Sequence, residues 1–331
     1  MPRPRQLPPT LLALAGRQHG LVTTAQCRAA GMSRDRVARA TATAGWARIT
    51  RGVYDTDPTP VRSRPLDHRR RRSAWAAMLA FGPRSISVGT CALALLGVAG
   101  LPSRLQPQAA LPGGRAALSR DGIELRMFDD GMSVQVVEGR FVATPEWALA
   151  QAVPELERRH AAAVMDSALH QGLVTPQELG RAHDKARGRR GVARTHAWWD
   201  MADGRAESPL ETFARLDCAD GGVPPDRLQV VLRDDAGRIV ARGDLGWSLG
   251  AGRWLIAEMD GAEFHDTPEA VFADRSRQNL LVASGRVVVL RFTARDVAAP
   301  GTIAREVRAA LRALRTQVPN PRSVRAPGEV V

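Results

Sequence analysis

Gly20, Gly31 and Gly45 cut the first 45 residues into three short segments, and each segment carries its own helix signals. Leu11–Gln18 has apolar residues at helical spacing and stops before Gly20. Thr23-Thr24 opens a second helix that ends at Gly31. Ser33 caps a third, which runs to about Thr43 and is ended by Gly45. Helices this short are unstable alone, so the three must pack on one another. The period then changes. Over Trp46–Asp55, Trp46, Arg48 and Thr50 fall on one face and Ala47, Ile49 and Arg51 on the other, with Arg51-Gly52 where a hairpin turn belongs. Three packed helices and a hairpin make residues 1–56 a winged helix-turn-helix. Pro2, Pro4, Pro8 and Pro9 with Arg3 and Arg5 make a flexible basic arm ahead of it.

The charge distribution points to a partner for that module. The formal net charge is +13, and it is unevenly spread. Residues 1–72 hold 15 Arg against 4 acids, residues 73–199 hold 14 basic against 11 acidic groups, and residues 200–331 hold 18 Arg against 19 acids. A basic front on a neutral body suits a polyanion, with double-stranded DNA first and an anionic membrane surface second. Only Lys185 is a lysine, so arginine is favoured throughout and the clustering carries the argument. Cys27, Cys91 and Cys218 are odd in number and far apart, with no CxxC or HxxxH spacing, which supports neither a disulfide framework nor a zinc site. That fits a reducing, cytoplasmic location. The opening apolar run, Leu11–Ala15, is too short for a signal peptide. The apolar stretch Ile86–Leu101 carries three glycines and reads as a buried helix, so no membrane span is expected.

Further along, residues 57–72 read as a Pro/Arg linker ending in His68 and Arg69–Arg72. That arginine run is either a second phosphate patch or a solvated stretch. Residues 73–200 read as a mixed α+β region. Helices are expected over Ala74–Phe81, Cys91–Gly97, Trp147–Val153, Glu155–His170 and Pro176–Arg187, with strands at Ile123–Phe128 and Ser133–Val137. Thr144-Pro145-Glu146 and the Thr175…Glu178 capping box start two of these helices. Residues 205–316 have an α-β-β-β-α-β-α order. Strands are expected at Leu228–Arg233, Arg238–Trp247, Trp254–Asp260 and Val287–Phe292, and helices start at Ser208-Pro209, Thr267-Pro268 and Thr302. Residues 317–331 read as a disordered tail. The fold class is therefore mixed α/β, in several domains.

The third short helix begins Ser33-Arg34-Asp35-Arg36-Val37-Ala38-Arg39-Ala40. In a helix-turn-helix this element enters the major groove and its first turns face the bases. Val37 and Ala40 take the core side, which leaves Ser33, Arg34, Arg36 and Arg39 outside. Arginine pairs bidentately with guanine, so Arg34 and Arg36 are the candidate readers, while Arg48 and Arg51 on the wing are candidate phosphate anchors. The alternative is a winged helix that only contacts protein, with its arginines solvated.

The stretch LLALAGRQHGLVTTAQCRAAGMSRDRVARATATAGWARITRGVYDT resembles the N-terminal domain of AbiEi-type antitoxins of type IV toxin–antitoxin systems. ISVGTCALALLGVAGL and PEWALAQAVPEL resemble later parts of such chains. The resemblance covers roughly half the protein. It implies repression of its own operon and neutralisation of a nucleotidyltransferase-type toxin.

The C-terminal third carries a second pattern. Asp244 lies late in one strand, and Glu258 and Asp260, at i and i+2, share a face of the next. Glu211 sits on the preceding helix. Such a set of hard oxygen ligands suits Mg²⁺, which also binds phosphate oxygens. ESPLETFARL, VARGDLGW, WLIAEMDGAEFH, DRSRQNLL and VVVLRFT resemble the very-short-patch-repair-like endonucleases, a PD-(D/E)XK branch with a restriction-endonuclease-like fold. The resemblance assigns catalytic and metal roles to Glu211, Asp244 and Glu258, with Asp260 the next carboxylate, and matches His265, Asp274, Arg277 and Asn279 to its following positions. The usual lysine is absent, and its role would pass to His265 or Arg277. Gly243 and Gly246 flank Asp244 where the family has apolar and aromatic residues. The bland alternatives are that Glu211 completes a capping box with Ser208 and that Asp260-Gly261 is only a turn.

Three functions follow for the whole chain. It is a DNA-binding autoregulator of the antitoxin kind with an appended nuclease-like domain, a Mg²⁺-dependent DNA endonuclease targeted by its winged helix, or a toxin-neutralising interaction protein.

Overall fold

The computed structural model describes residues 7–112, 118–233, 237, 239–260 and 285–316. Residues 1–204 and 205–331 form two compact units. The expected helix over Thr267–Ser284, the arm with Arg3 and Arg5, the tail 317–331, and His265, Asp274, Arg277 and Asn279 lie outside the described residues.

The first unit opens with α1 (Pro9–Arg17), β1 (Leu21–Thr23), α2 (Thr24–Ala29), α3 (Arg34–Thr43), β2 (Ala47–Thr50) and β3 (Val53–Asp55). Each helix start has a local cause. Pro9 occupies the first turn of α1, Thr23 and Gln26 form a reciprocal capping box on α2, and the Ser33 hydroxyl caps α3. The three strands form an antiparallel sheet in the order β1-β3-β2. Gly52, at φ +82°, makes the hairpin turn that the sequence placed there. Leu11 and Ala15 from α1, Cys27 from α2, Val37 from α3, and Val22, Met32 and Trp46 close a small core.

The last part of the expected linker is helix. Helix α4 spans Leu66–Phe81, eight residues ahead of the Ala74 start read from the sequence. Pro65 precedes it and Asp67 sits in its first turn, where a negative charge meets the helix N-terminus. Its arginines are used inside the unit. Arg72 reaches Asp55 at 2.6 Å, Arg71 pairs with Glu138, and Arg70 donates to the Leu101 and Pro102 carbonyls. Arg70, Arg71 and Arg72 are therefore neither a phosphate patch nor a solvated run.

Behind α4 stands a five-stranded mixed sheet, β6-β5-β4-β8-β7, built from β4 (Ile86–Ser87), β5 (Gln108–Ala110), β6 (Glu124–Arg126), β7 (Val134–Val137) and β8 (Arg140–Ala143). The stretch Ile86–Leu101 is not one helix. It is β4, then α5 (Gly89–Leu95), then a loop with Gly97 and Gly100 at φ +78° and +88°. A Cβ on Gly100 would lie 2.5 Å from the Ala163 Cβ, so the glycine also permits a close approach. Helices α6 (Pro145–Ala152), α7 (Arg158–His170), α8 (Pro176–Ala186) and α9 (His196–Trp199) follow. Helix α7 starts three residues after the expected Glu155, because Val153–Glu155 forms a separate 3-10 turn around Pro154. Leu21 and Val53 join one core with Trp75, Met78, Leu93 and Leu149, so the N-terminal sheet is packed into the rest of the unit.

The second unit runs α10 (Pro209–Asp220), β9 (Arg227–Arg233), β10 (Ile239–Gly250), β11 (Arg253–Asp260), β12 (Val287–Thr293), α11 (Ala294–Ala298) and α12 (Thr302–Thr316). Its sheet order is β12-β11-β10-β9, antiparallel except for the parallel pair β11–β12. Ala214 and Cys218 of α10 and Ile303, Val307 and Leu311 of α12 bury Leu245, Trp247, Leu255, Ala257 and Phe292 on one face. Val230, Ile256 and Val287 form a smaller cluster. Helix α11, absent from the sequence reading, is a five-residue element opened by a Thr293/Asp296 capping box. Among the described residues, no helix is long and apolar enough to cross a membrane.

Candidate nucleic-acid interface and the C-terminal carboxylates

Helix α3 is aimed by two neighbouring residues. The Ser33 hydroxyl accepts the Arg36 N–H at 3.2 Å, and Val37 sinks into the core. At 3.6 residues per turn this turns Arg39 to the opposite side, and Arg34, in the first turn of the helix, is exposed as well. Arg36 is half-buried, so it is less available than the sequence suggested. On the hairpin, Arg48 and Arg51 are exposed.

A groove of about 540 Å³ runs between α2, α3 and the hairpin. Arg28, Arg34 and Arg48 bring cations to it from three different elements. Thr24, Ser33, Thr41 and Tyr54 add hydroxyl groups. Of the residues proposed from sequence, the groove gathers Ser33, Arg34 and Arg48, whereas Arg36, Arg39 and Arg51 do not line it. The sequence reading missed Arg28, Thr24, Thr41 and Tyr54. The signal for Arg28 was present: its neighbour Cys27 is the buried residue of a six-residue helix, which forces Arg28 to another face. Cationic donors and hydroxyls around one open groove can take phosphate oxygens and base edges.

The hairpin is held at both ends. Asp55, at the end of β3, is buried; it accepts from Arg72 at 2.6 Å and is ion-paired with Arg64 at 3.0 Å. At the tip, one oxygen of Asp121 accepts from the Thr50 hydroxyl at 2.7 Å and from the Arg51 N–H at 3.2 Å.

In the second unit the carboxylates are placed differently. Glu211 is buried, and its Oε2 accepts from the Glu207 N–H at 3.0 Å and from Gln229 Nε2 at 2.7 Å. Its own N–H is capped by Ser208 at 3.3 Å, so half of the anticipated capping role is present. Asp244 accepts the Met259 N–H at 2.7 Å. Burial pushes its carboxyl up to about 6, and the nearby Glu211 and Glu207 charges push the same way. Glu258 lies opposite Arg291 in the β11–β12 register and pairs with it at 3.3 Å. Asp260 is exposed at the strand end. Among the described residues, no three His, Cys, Asp or Glu side chains stand close enough to hold a metal ion. Glu211 spends one oxygen on two donors, and Glu258 faces a cation.

The helices, hairpin and groove define a class of small basic modules that present a cationic helix beside a β-hairpin. Within that class, residues 9–54 match the family described as "Transcriptional regulator, AbiEi antitoxin". The chain is also similar to two curated proteins from strains of Mycobacterium tuberculosis, "Uncharacterized protein MT2308" and "Uncharacterized protein Rv2248". Each is 33% identical over 159 residues, covering 48% of this chain and 57% of the relative. The chain thus spans little more than half the length of the curated relatives it matches.

Proposed function

We propose that this protein is a cytoplasmic DNA-binding transcriptional autoregulator of the AbiEi antitoxin kind, whose residues 9–55 act as a winged helix-turn-helix on double-stranded DNA. The observation that carries the reading is the groove in which Arg28, Arg34 and Arg48 converge from three elements, within the segment that matches the regulator family. Helix α3 enters the major groove with Arg34 toward base edges, and the wing arginines Arg48 and Arg51 take backbone phosphates. A nucleotidyltransferase-type toxin as partner belongs to the same reading and rests on the family match alone.

The test is anisotropy binding to fragments from the DNA upstream of the protein's own reading frame. Arg34→Ala is expected to cost about 1–3 kcal/mol against the best site and to relax discrimination at one base pair. Arg51→Ala is expected to weaken all sequences alike and to lower the slope of log K against log salt by about 1. Equal, sequence-independent losses from both variants would remove the division between reader and anchor. No shift of any duplex by the wild type would sink the reading.

A second reading, a DNA endonuclease with a restriction-enzyme-like C-terminal domain, has one observation in its favour. Glu211 is buried, and its charge helps to raise the carboxyl of the half-buried Asp244. Nicking of supercoiled plasmid with Mg²⁺ or Mn²⁺, lost on Asp244→Ala, supports it. Intact plasmid under both metals rejects it.

A further inference from the structure

We infer that Asp121, far from the DNA-binding segment in sequence, is a positioning residue that holds the wing in its DNA-contacting geometry. The inference rests on the reading of residues 9–55 as a DNA-binding module and adds a regulator of that site from the following region.

The wing is two strands of four and three residues, and a hairpin that short is marginal by itself. Its tip carries Arg51, and Arg48 stands three residues earlier. Asp121 Oδ2 fixes one side of this tip, taking both the buried Thr50 hydroxyl and the Arg51 backbone N–H, while the Thr24 N–H holds the Gly52 carbonyl at 2.9 Å. Asp121 is itself rigidly presented. Asp121 and Gly122 both have positive φ, +50° and +74°, as the centre of a type I′ turn requires. Arg120 and Ile123 close that turn with two backbone hydrogen bonds of 2.9 and 2.8 Å. Ile123 is buried, and the Arg120 guanidinium lies over the Phe81 ring, so the turn is rooted on α4. The arrangement spends a carboxylate beside cations that should meet phosphate. On charge alone Asp121 opposes DNA binding, so its presence at the tip points to geometry. Anything that displaces the Arg120–Ile123 turn is transmitted to Arg48 and Arg51.

The experiment is operator binding by the full chain across a salt series, with Asp121→Ala, Asp121→Asn, Thr50→Val and the Asp121→Ala/Thr50→Val pair. Asparagine keeps an acceptor and tolerates positive φ, so Asp121→Asn is expected to bind as tightly as wild type or tighter. Alanine lacks the acceptor, and Asp121→Ala is expected to bind about five- to tenfold more weakly, with a shallower salt slope as the wing loses its phosphates. Thr50→Val should weaken binding in the same direction, and the double variant should be no worse than Asp121→Ala. Equal tightening by Ala and Asn would reduce Asp121 to simple charge repulsion and overturn the proposal. So would unchanged binding by Ala, or an additive double variant. Arg51→Ala separates the two levels: if it leaves affinity and salt slope unchanged, the wing reading itself fails, whatever Asp121 does.

Discussion

Around α3 and the hairpin, the charged side chains face outward over a small apolar core: Arg34, Arg39, Arg48 and Arg51 are exposed above Val37, Met32 and Trp46. In the C-terminal sheet the charges turn inward. Glu211 is 6% exposed, and Asp244 is desolvated enough to hold its proton up to a pH of about 6. An exposed guanidinium keeps its hydration and costs folding almost nothing, so it stays available to a polyanion. A desolvated acid costs stability wherever it ionises. The first arrangement suits a surface that meets ligand after folding. The second puts strain into the fold itself.

The largest expected effect lies where the N-terminal unit breaks its own pattern. Arg64 and Arg72 are nearly as buried as Glu211, and both lean on Asp55. Asp55→Ala removes the carboxylate that the two guanidiniums share; Arg64 keeps the Thr59 and Asp57 oxygens, whereas Arg72 loses its paired acid. The expected cost is about 3–5 kcal/mol, read from urea or thermal unfolding. A loss under about 1 kcal/mol would mean that water reaches these arginines, and the buried set would then belong with the exposed one.

Asp244 gives the next largest effect, with a sign that depends on pH. Its folded pKa lies near 6, above the ordinary 3.8, so the neutral acid is the form the fold prefers. The associated stability is fully present below about pH 3.8 and is lost as pH rises through about 6. Asp244→Asn is neutral throughout and keeps an acceptor for the Met259 N–H. It should therefore stabilise the second unit by about 1–3 kcal/mol at pH 7.5 and by almost nothing at pH 4. A gain independent of pH would show that packing, not ionisation, sets the strain.

The same contrast explains what could be read from the sequence. The N-terminal module was legible because its signals are local: glycines at the helix ends, Thr23 and Ser33 at the starts, and Gly52 in the turn. Its groove was only half legible. Arg28 and Arg48 meet Arg34 through packing between elements, which periodicity along one helix does not report. The roles of Arg70, Arg71 and Arg72 were hidden for the same reason, since their partners at Leu101, Glu138 and Asp55 are distant in sequence. Strands β4, β5 and β8 have only two to four residues, too few to show a period of two. In the C-terminal sheet the i, i+2 spacing placed Glu258 and Asp260 correctly along one strand. It carried no information about Arg291, which arrives from a parallel neighbour and pairs with Glu258.

The smallest effect asks whether Ser33 belongs to the fold or to the ligand surface. Its hydroxyl is committed to the Arg36 N–H, yet it also lines the groove. Ser33→Ala removes the cap and should cost about 1 kcal/mol of stability. Ser33→Asp keeps a capping oxygen and favours the helix N-terminus, so stability should be retained. The same aspartate sets a negative charge between Arg34 and Arg48, so DNA affinity should fall and the salt slope should drop by about 1. If Ser33→Asp binds DNA as well as wild type, the phosphates do not approach the start of α3. The outward charges would then serve contacts elsewhere on the helix, with Arg39 the first to examine.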